Sequence, residues 1–160
     1  MAFQKISLRL LAIMLLHAGT AGAQDSAAAV PERAATSGVF SENQAGRGEG
    51  VYRTSCQSCH AKTEYTGDKF KVAWVSKTAY DIFDVIRSQM PEDNPGSLER
   101  QEYVDVVAYI FSLNAFPAGS GDLPGDDDGL KKVRIDSPPE SVASRTAARA
   151  ISHPRVTFRQ

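Results

Sequence analysis

Both cysteines of the 160-residue chain lie in the short stretch Cys56-Gln57-Ser58-Cys59-His60. Two thiols three residues apart, followed at once by an imidazole, form the C-x-x-C-H pattern by which c-type haem is attached. At this spacing the thiols can reach the two vinyl groups on one edge of a porphyrin, and the imidazole is placed under the ring. The motif predicts one covalent haem c, bound through Cys56 and Cys59, with His60 as the proximal iron ligand.

Three other uses of the motif fit the sequence less well. A thioredoxin-type redox pair needs a βαβ setting, which the chain does not show. A zinc site needs a fourth ligand beside the two cysteines and His60, and the chain offers only His153 or a carboxylate. A structural disulfide between Cys56 and Cys59 would close a very short loop.

Met90 is the predicted distal ligand. It is the only methionine outside the first 23 residues, and it lies between two predicted helices, directly before Pro91. A gap-filling core methionine is the plainer interpretation, but it suits a loop position poorly. His153 and an open sixth position are the competing hypotheses. With His60 and Met90 the metal site would be saturated, which favours electron transfer over oxygenase or peroxidase chemistry, and no catalytic residue is predicted.

Residues 1–23 have the pattern of a cleaved signal peptide. Lys5 and Arg9 precede an apolar run at 10–16, and small residues at 21–23 suit cleavage. An uncleaved anchor would need roughly 20 apolar residues. No twin arginine precedes the run, and no cysteine stands at the cleavage position. We expect an exported, periplasmic protein.

Composition excludes several classes of function. Lysine plus arginine (18) nearly equals aspartate plus glutamate (19), whereas a nucleic-acid binder held by bulk charge would show a basic excess. The hydrophobic fraction of 42% permits a packed core. Two cysteines are too few for a disulfide-dense scaffold or a four-cysteine zinc site.

The pattern along the chain predicts a small domain between two extensions. We expect a flexible leader over 24–38, a compact region over 39–117, a Gly/Asp linker over 118–129 and a basic tail over 130–160, partly disordered. A helical core of about this size usually needs a staple or a cofactor.

The tail has seven positive and two negative residues, so an acidic partner or, less favoured, an anionic membrane surface would suit it. Leu130, Val133 and Ile135 alternate with basic residues and would dock as an extended strip. Residues 141–151 suggest a short basic helix, with a disordered tail as the favoured alternative. The three aspartates at 126–128 are interpreted as solvated linker, in preference to partner steering or a calcium site.

Three main helices are predicted around the haem, in an all-α domain. Ser41 with Gln44 resembles a capping box that opens the first helix toward Cys56. That helix contains three glycines, which indicate close packing against another element: Gly46, Gly48 and Gly50.

The second predicted helix is capped by Thr78 with Asp81 and ends near Gln89. Pro95-Gly96 suits the centre of a turn. Ser97 is expected to cap the third helix, whose apolar positions recur at helical spacing and which Asn114 and Pro117 end.

Some apolar residues have predicted places. Tyr103, Tyr109 and Phe111 are expected in the core. Trp74 is interpreted either as a porphyrin contact or as a plain core residue. Three residues of the second helix are expected to wall the haem pocket: Ile82, Phe83 and Ile86.

The chain resembles the class I cytochromes c. The matching features are Gly48 and Tyr52 before the C-x-x-C-H motif, Met90-Pro91, and the stretch 105–109. In that family a glycine of the first helix meets an aromatic residue of the last, and Gly48 and Tyr109 match those roles. Many members have a proline after the motif whose carbonyl accepts the histidine Nδ1–H. None stands between His60 and Met90, so a backbone carbonyl within 62–68 is the expected acceptor.

A closer resemblance is to the cytochrome c domains that accompany pyrroloquinoline-quinone dehydrogenases, over the stretches 70–74, 90–98 and 103–119. It implies an electron carrier, not an enzyme, with a periplasmic dehydrogenase, possibly a quinoprotein, as donor. A cytochrome or terminal oxidase would be the acceptor. Two alternatives stay open: a dedicated cytochrome subunit of one dehydrogenase, and a haem sensor or peroxidase with a labile distal ligand.

Overall fold

The computed structural model describes residues 32–139, which form a helical domain with a two-residue parallel strand pair. The elements are β1 Arg33–Ala34, α1 Glu42–Ser55, α2 Gly67–Trp74, α3 Ala79–Gln89, α4 Arg100–Leu113, α5 Asp127–Lys131 and β2 Val133–Arg134, with single 3-10 turns at Ala35–Ser37 and Lys62–Glu64. Within residues 32–139 no helix is long and apolar enough to cross a membrane. The signal peptide predicted over 1–23 and the basic helix predicted over 141–151 lie outside the described residues.

Two helix starts follow the capping residues. The Ser41 hydroxyl accepts the Gln44 N–H at 3.0 Å and begins α1. The return bond of the predicted box is missing, because the Gln44 side chain accepts the Leu123 N–H instead, at 2.7 Å. Thr78 and Asp81 form the complete box at the start of α3. Local side-chain chemistry therefore sets both starts.

The predicted cap of the last main helix is wrong. α4 starts two residues later than expected, with Glu99 rather than Ser97 as its N-cap, in a reciprocal box with Glu102. Ser97 instead closes the turn around Pro95-Gly96, where its N–H bonds the Asn94 carbonyl at 3.2 Å. Gly96 takes the positive φ of 78° that the third position of such a turn requires.

The crossing of α1 and α4 organises the domain. A Cβ built on Gly48 would lie 1.9 Å from the Asp105 carbonyl oxygen and 3.0 Å from the Tyr109 Cβ. Gly46 and Gly50 have nothing within 4 Å of such an atom. Close packing therefore explains one of the three glycines, and the expected meeting of Gly48 with Tyr109 is confirmed.

Helix α2 was not predicted. Its Thr66 N-cap makes no side-chain cap bond, and Gly67 begins the helix with a φ of 63°. Contacts distant in sequence stabilise it, because Asn114 accepts the Gly67 N–H at 3.2 Å and Phe70 packs on Phe116 in the core. The fold class is nonetheless the expected all-α one.

The folded unit is longer than the predicted 39–117. The leader prediction fails for residues 32–38, since β1 pairs with β2 and Ala35 is fully buried. The linker prediction fails because Leu123 is buried and Asp126 caps α5 through the Gly129 N–H. A buried apolar residue in each segment, Ala35 and Leu123, packs it against the helical domain.

The start of the tail docks as expected, but it is extended only in part, because Leu130 lies in α5 and Val133 in β2. Leu130, Val133 and Ile135 are buried, and backbone bonds join the strip to the loop before α3, with the Ile135 N–H donating to the Lys77 carbonyl at 2.8 Å. Disorder over the rest of the tail is not tested by the described residues.

Candidate haem-binding site

A cavity of about 890 Å³ lies between the end of α1, α3, the loop before α4, and α4. Its wall contains all four predicted site residues: Cys56, Cys59, His60 and Met90. The remaining wall combines polar residues from the segments 54–58 and 92–97 with a set of apolar and aromatic side chains that includes Tyr65, Ile86, Leu98, Tyr103, Val106 and Ile110. The fold thus brings together residues that the sequence separates into two groups.

The C-x-x-C-H motif forms a tight turn directly after α1. The N–H groups of Cys59 and His60 both donate to the Cys56 carbonyl, at 3.1 and 3.0 Å. The Tyr52 hydroxyl donates to the His60 carbonyl at 2.5 Å. This turn places both sulfurs and the imidazole on one side of the cavity.

The two thiols differ in exposure. Cys56 is partly buried and Cys59 exposed, and neither forms a disulfide. Burial raises the pKa of the Cys56 thiol. The attachment point on Cys59 is therefore open to solvent.

The expected hydrogen-bond acceptor for His60 is wrong in kind, although its place is right. His60 Nδ1 lies 3.1 Å from Oε2 of Glu64, a side-chain carboxylate rather than a backbone carbonyl. The bond to His60 is the main reason why the pKa of the Glu64 carboxyl lies below its ordinary value. The His60–Glu64 separation of four residues is a signal that the sequence contains.

Hydrogen bonds at both backbone polar groups of Met90 fix the position of this residue. Its N–H donates to the Ile86 carbonyl at 2.9 Å as α3 ends, and its carbonyl accepts the Tyr103 hydroxyl at 2.9 Å. That hydroxyl also accepts the Leu98 N–H at 3.3 Å. Tyr103 is buried as expected for a core residue, but its hydroxyl also ties the Met90 loop to α4, which sequence reasoning missed.

Other predicted contacts are only partly right. Ile86 lines the cavity, whereas Ile82 and Phe83 are buried in the core and do not line it. Trp74 packs against the core beneath the Lys77 ammonium, 4.8 Å from its ring centre, and does not line the cavity either. Tyr109 and Phe111 are buried as expected.

The residues around the cavity fit a haem. The residues that line the cavity include two thiols, an imidazole and a thioether. Apolar and aromatic side chains in the same lining suit a porphyrin face. The volume is within the usual range for cofactor pockets. Across residues 32–139 no cluster of three or more His, Cys, Asp or Glu residues could hold a metal ion, so the zinc alternative finds no ligand set there.

Comparison with known families agrees with this geometry. Residues 43–110 match the family described as cytochrome c oxidase, cbb3-type, subunit III. The match supports a class I cytochrome c domain over these residues. The match begins at the start of α1 and ends within α4, so it includes the C-x-x-C-H motif and Met90. Comparison of the chain with curated proteins and with solved structures gives no match.

The cytochrome domain implies covalent haem c and the function of a haem-binding electron carrier. When bound, haem iron alternates between the ferric and ferrous states and so takes up or releases one electron. Cys56 and Cys59 would supply the tether, His60 and Met90 the iron ligands, and the cavity wall a partly apolar surround that would tune the reduction potential.

Proposed function

We propose that the protein is an exported monohaem cytochrome that carries single electrons from a periplasmic dehydrogenase to the respiratory chain. Cys56 and Cys59 form the thioethers, His60 is the proximal ligand and Met90 the distal one. The observation that carries the proposal is the single cavity whose wall contains all four residues.

Three features of the site favour carriage of electrons over bond chemistry. An imidazole and a thioether together fill both axial positions, which leaves no site for substrate at the iron. The backbone bonds on both sides of Met90 hold that loop against α3 and α4, which keeps the thioether available to the iron. Exposed Cys59 brings the tethered edge to the surface, where electrons can pass to a docked partner.

The proposed donor is a periplasmic dehydrogenase, with quinoprotein dehydrogenases as the first class to test. The proposed acceptor is another cytochrome or a terminal oxidase. The ferric protein would be mixed with each dehydrogenase and its substrate, and reduction would be followed optically. Fast reduction by one of them supports the proposal, and no reduction by any would contradict that donor class.

The haem assignment has its own test. The full chain and a Cys56→Ser, Cys59→Ser double variant would be expressed with haem export machinery and run on a haem-stained denaturing gel. The full chain should stain for haem, and the double variant should not. Carbon monoxide binding by the ferrous protein at neutral pH would instead favour a sensor or peroxidase.

A second candidate is a cytochrome subunit built into one redox enzyme. The matched family is named for a subunit of an oxidase, which favours this hypothesis. A truncation at Leu130 would damage the fold, because Leu130, Val133 and Ile135 are buried. A chain ending after Pro139 keeps the described domain and removes the rest of the tail. Loss of a co-purifying enzyme from this variant alone would support a subunit role.

A further inference from the structure

The acceptor of the His60 Nδ1–H is a carboxylate that lies outside the cavity of about 890 Å³, in a smaller neighbouring pocket that His60 also lines. The 3-10 turn Lys62–Glu64 carries the Glu64 side chain back over one turn to His60. Among the described residues His60 is the only ion-pair partner of Glu64, whereas neighbouring Lys62 pairs with Glu49 at 3.4 Å. The Glu64 carboxylate is therefore in ion-pair contact with the imidazole alone among the described residues, and Lys69 acts on it only through the longer-range attraction that helps to lower its pKa.

The contact between the Glu64 carboxylate and His60 should favour one oxidation state of the iron over the other. A carboxylate that accepts the Nδ1–H makes the imidazole a stronger donor at Nε2 than a neutral carbonyl would. A stronger donor stabilises ferric iron more than ferrous iron, because the ferric ion carries the larger charge. The side chain of Glu64 is 44% exposed, so solvent screens part of the effect.

We propose that Glu64 is a positioning residue for the proximal ligand, whose carboxylate holds the His60 Nδ1–H and lowers the reduction potential of the haem. The inference rests on the proposed ligation of haem by His60. Sequence reasoning did not assign Glu64 a role, and the family match does not either.

Two variants of Glu64 separate the effect of its hydrogen bond to His60 from the effect of its negative charge. Glu64→Gln keeps the length of the side chain but removes its charge. Glu64→Asp keeps the charge but is one methylene too short to maintain the 3.1 Å contact. Glu92→Gln is the matched control, because it removes one carboxylate from the wall of the candidate haem cavity, where Glu92 has no bond to His60 within the described residues.

The measurements are the midpoint potential of each haem-loaded protein and the proton resonance of His60 Nδ1–H in its ferrous form. For Glu64→Gln we expect the reduction equilibrium to favour the ferrous state by about tenfold, or ~59 mV for one electron. Glu64→Asp should shift the potential in the same direction. The Nδ1–H resonance should move upfield in both and stay unchanged in Glu92→Gln.

Three results would overturn the inference. The first is a Glu64→Gln shift no larger than that of Glu92→Gln. The second is a Glu64→Asp protein with the potential and resonance of the unmodified chain, which would show that charge acts through space. If Glu64→Gln retains no haem, the Glu64→Asp comparison decides alone. The third is a wild-type chain without covalent haem, which overturns the proposed function as well, whereas the first two leave it intact.

Discussion

Replacing Gly48 with alanine should loosen the contact between α1 and α4. The added Cβ would lie 1.9 Å from the Asp105 carbonyl oxygen, while real Cβ atoms essentially never approach within 3.0 Å. The obstacle is backbone in the middle of a helix whose residues 103–111 are all buried, so no side chain can rotate away. The helices must separate by roughly 1 Å, which forfeits a quarter to a half of the attraction between atoms that face each other there.

The expected net loss is about 2 kcal/mol. Overpacking costs roughly 1–3 kcal/mol, and the backbone obstacle places this contact near the upper end of that range, from which alanine regains about 1 kcal/mol of helix propensity. For a domain of this size the midpoint of thermal unfolding should fall by roughly 10 °C.

Guanidinium unfolding of the ferric, haem-loaded protein, followed by far-ultraviolet circular dichroism, measures this loss. Gly46→Ala is the matched control in the same helix, because nothing lies within 4 Å of its new Cβ. That variant should be as stable as the wild type or more stable by up to about 1 kcal/mol. If Gly48→Ala is as stable as Gly46→Ala, the close crossing is not what stabilises the domain.

Three further variants test separate contacts. Tyr103→Phe removes the hydroxyl that holds the Met90 carbonyl, so cyanide should displace the distal ligand of the ferric protein about fivefold more readily; unchanged cyanide affinity would contradict that role. Leu130→Ala empties a fully buried position and should lower the free energy of unfolding by about 2–5 kcal/mol, measured by urea titration, and a loss below 1 kcal/mol would contradict docking of this segment. The pKa of Asp122 lies below its ordinary 3.8 because of bonds from Ser41 and Arg47, so its stabilising effect is present above that value and disappears as the pH falls through the lower folded pKa. Asp122→Asn should therefore be less stable than the wild type by less than about 1 kcal/mol at pH 7, and this difference should shrink as the pH falls below 3.8; a difference that grows on acidification would refute this sign.

Local chemistry explains which helices the sequence predicted. Thr78 with Asp81 caps α3, and the apolar spacing of α4 is regular, so short-range rules suffice there. Helix α2 was missed because Asn114 and the core position of Phe70 stabilise it from a distance. The cap of α4 was misplaced because Ser97 has a competing use in the turn.

The composition of the segment 118–129 predicts a flexible linker, and that prediction is wrong. Glycine and aspartate at 118–129 are typical of a linker, yet Leu123 is buried and its N–H donates to the Gln44 side chain. A single apolar residue in a polar stretch leaves no periodic signal. Packing of this segment depends on the surface that α1 and α4 form together.

A site residue could be predicted from the sequence where it stood in a known motif or was the only residue of its type in the relevant part of the chain. Cys56, Cys59 and His60 stand in one motif, and Met90 is the only methionine beyond residue 23. Glu64 and Tyr103 were missed because their roles depend on where a side chain reaches, not on residue type. The four-residue spacing of His60 and Glu64 is the one pattern that could have indicated the pair.

The optical spectrum of the ferric, haem-loaded protein, recorded for the wild type and for Met90→Ala, shows both the haem and its distal ligand. Both proteins should have a haem spectrum, and the weak visible band of methionine–ferric iron coordination should appear in the wild type alone. A wild-type protein without haem absorption, or a Met90→Ala protein that retains the band, would contradict this assignment.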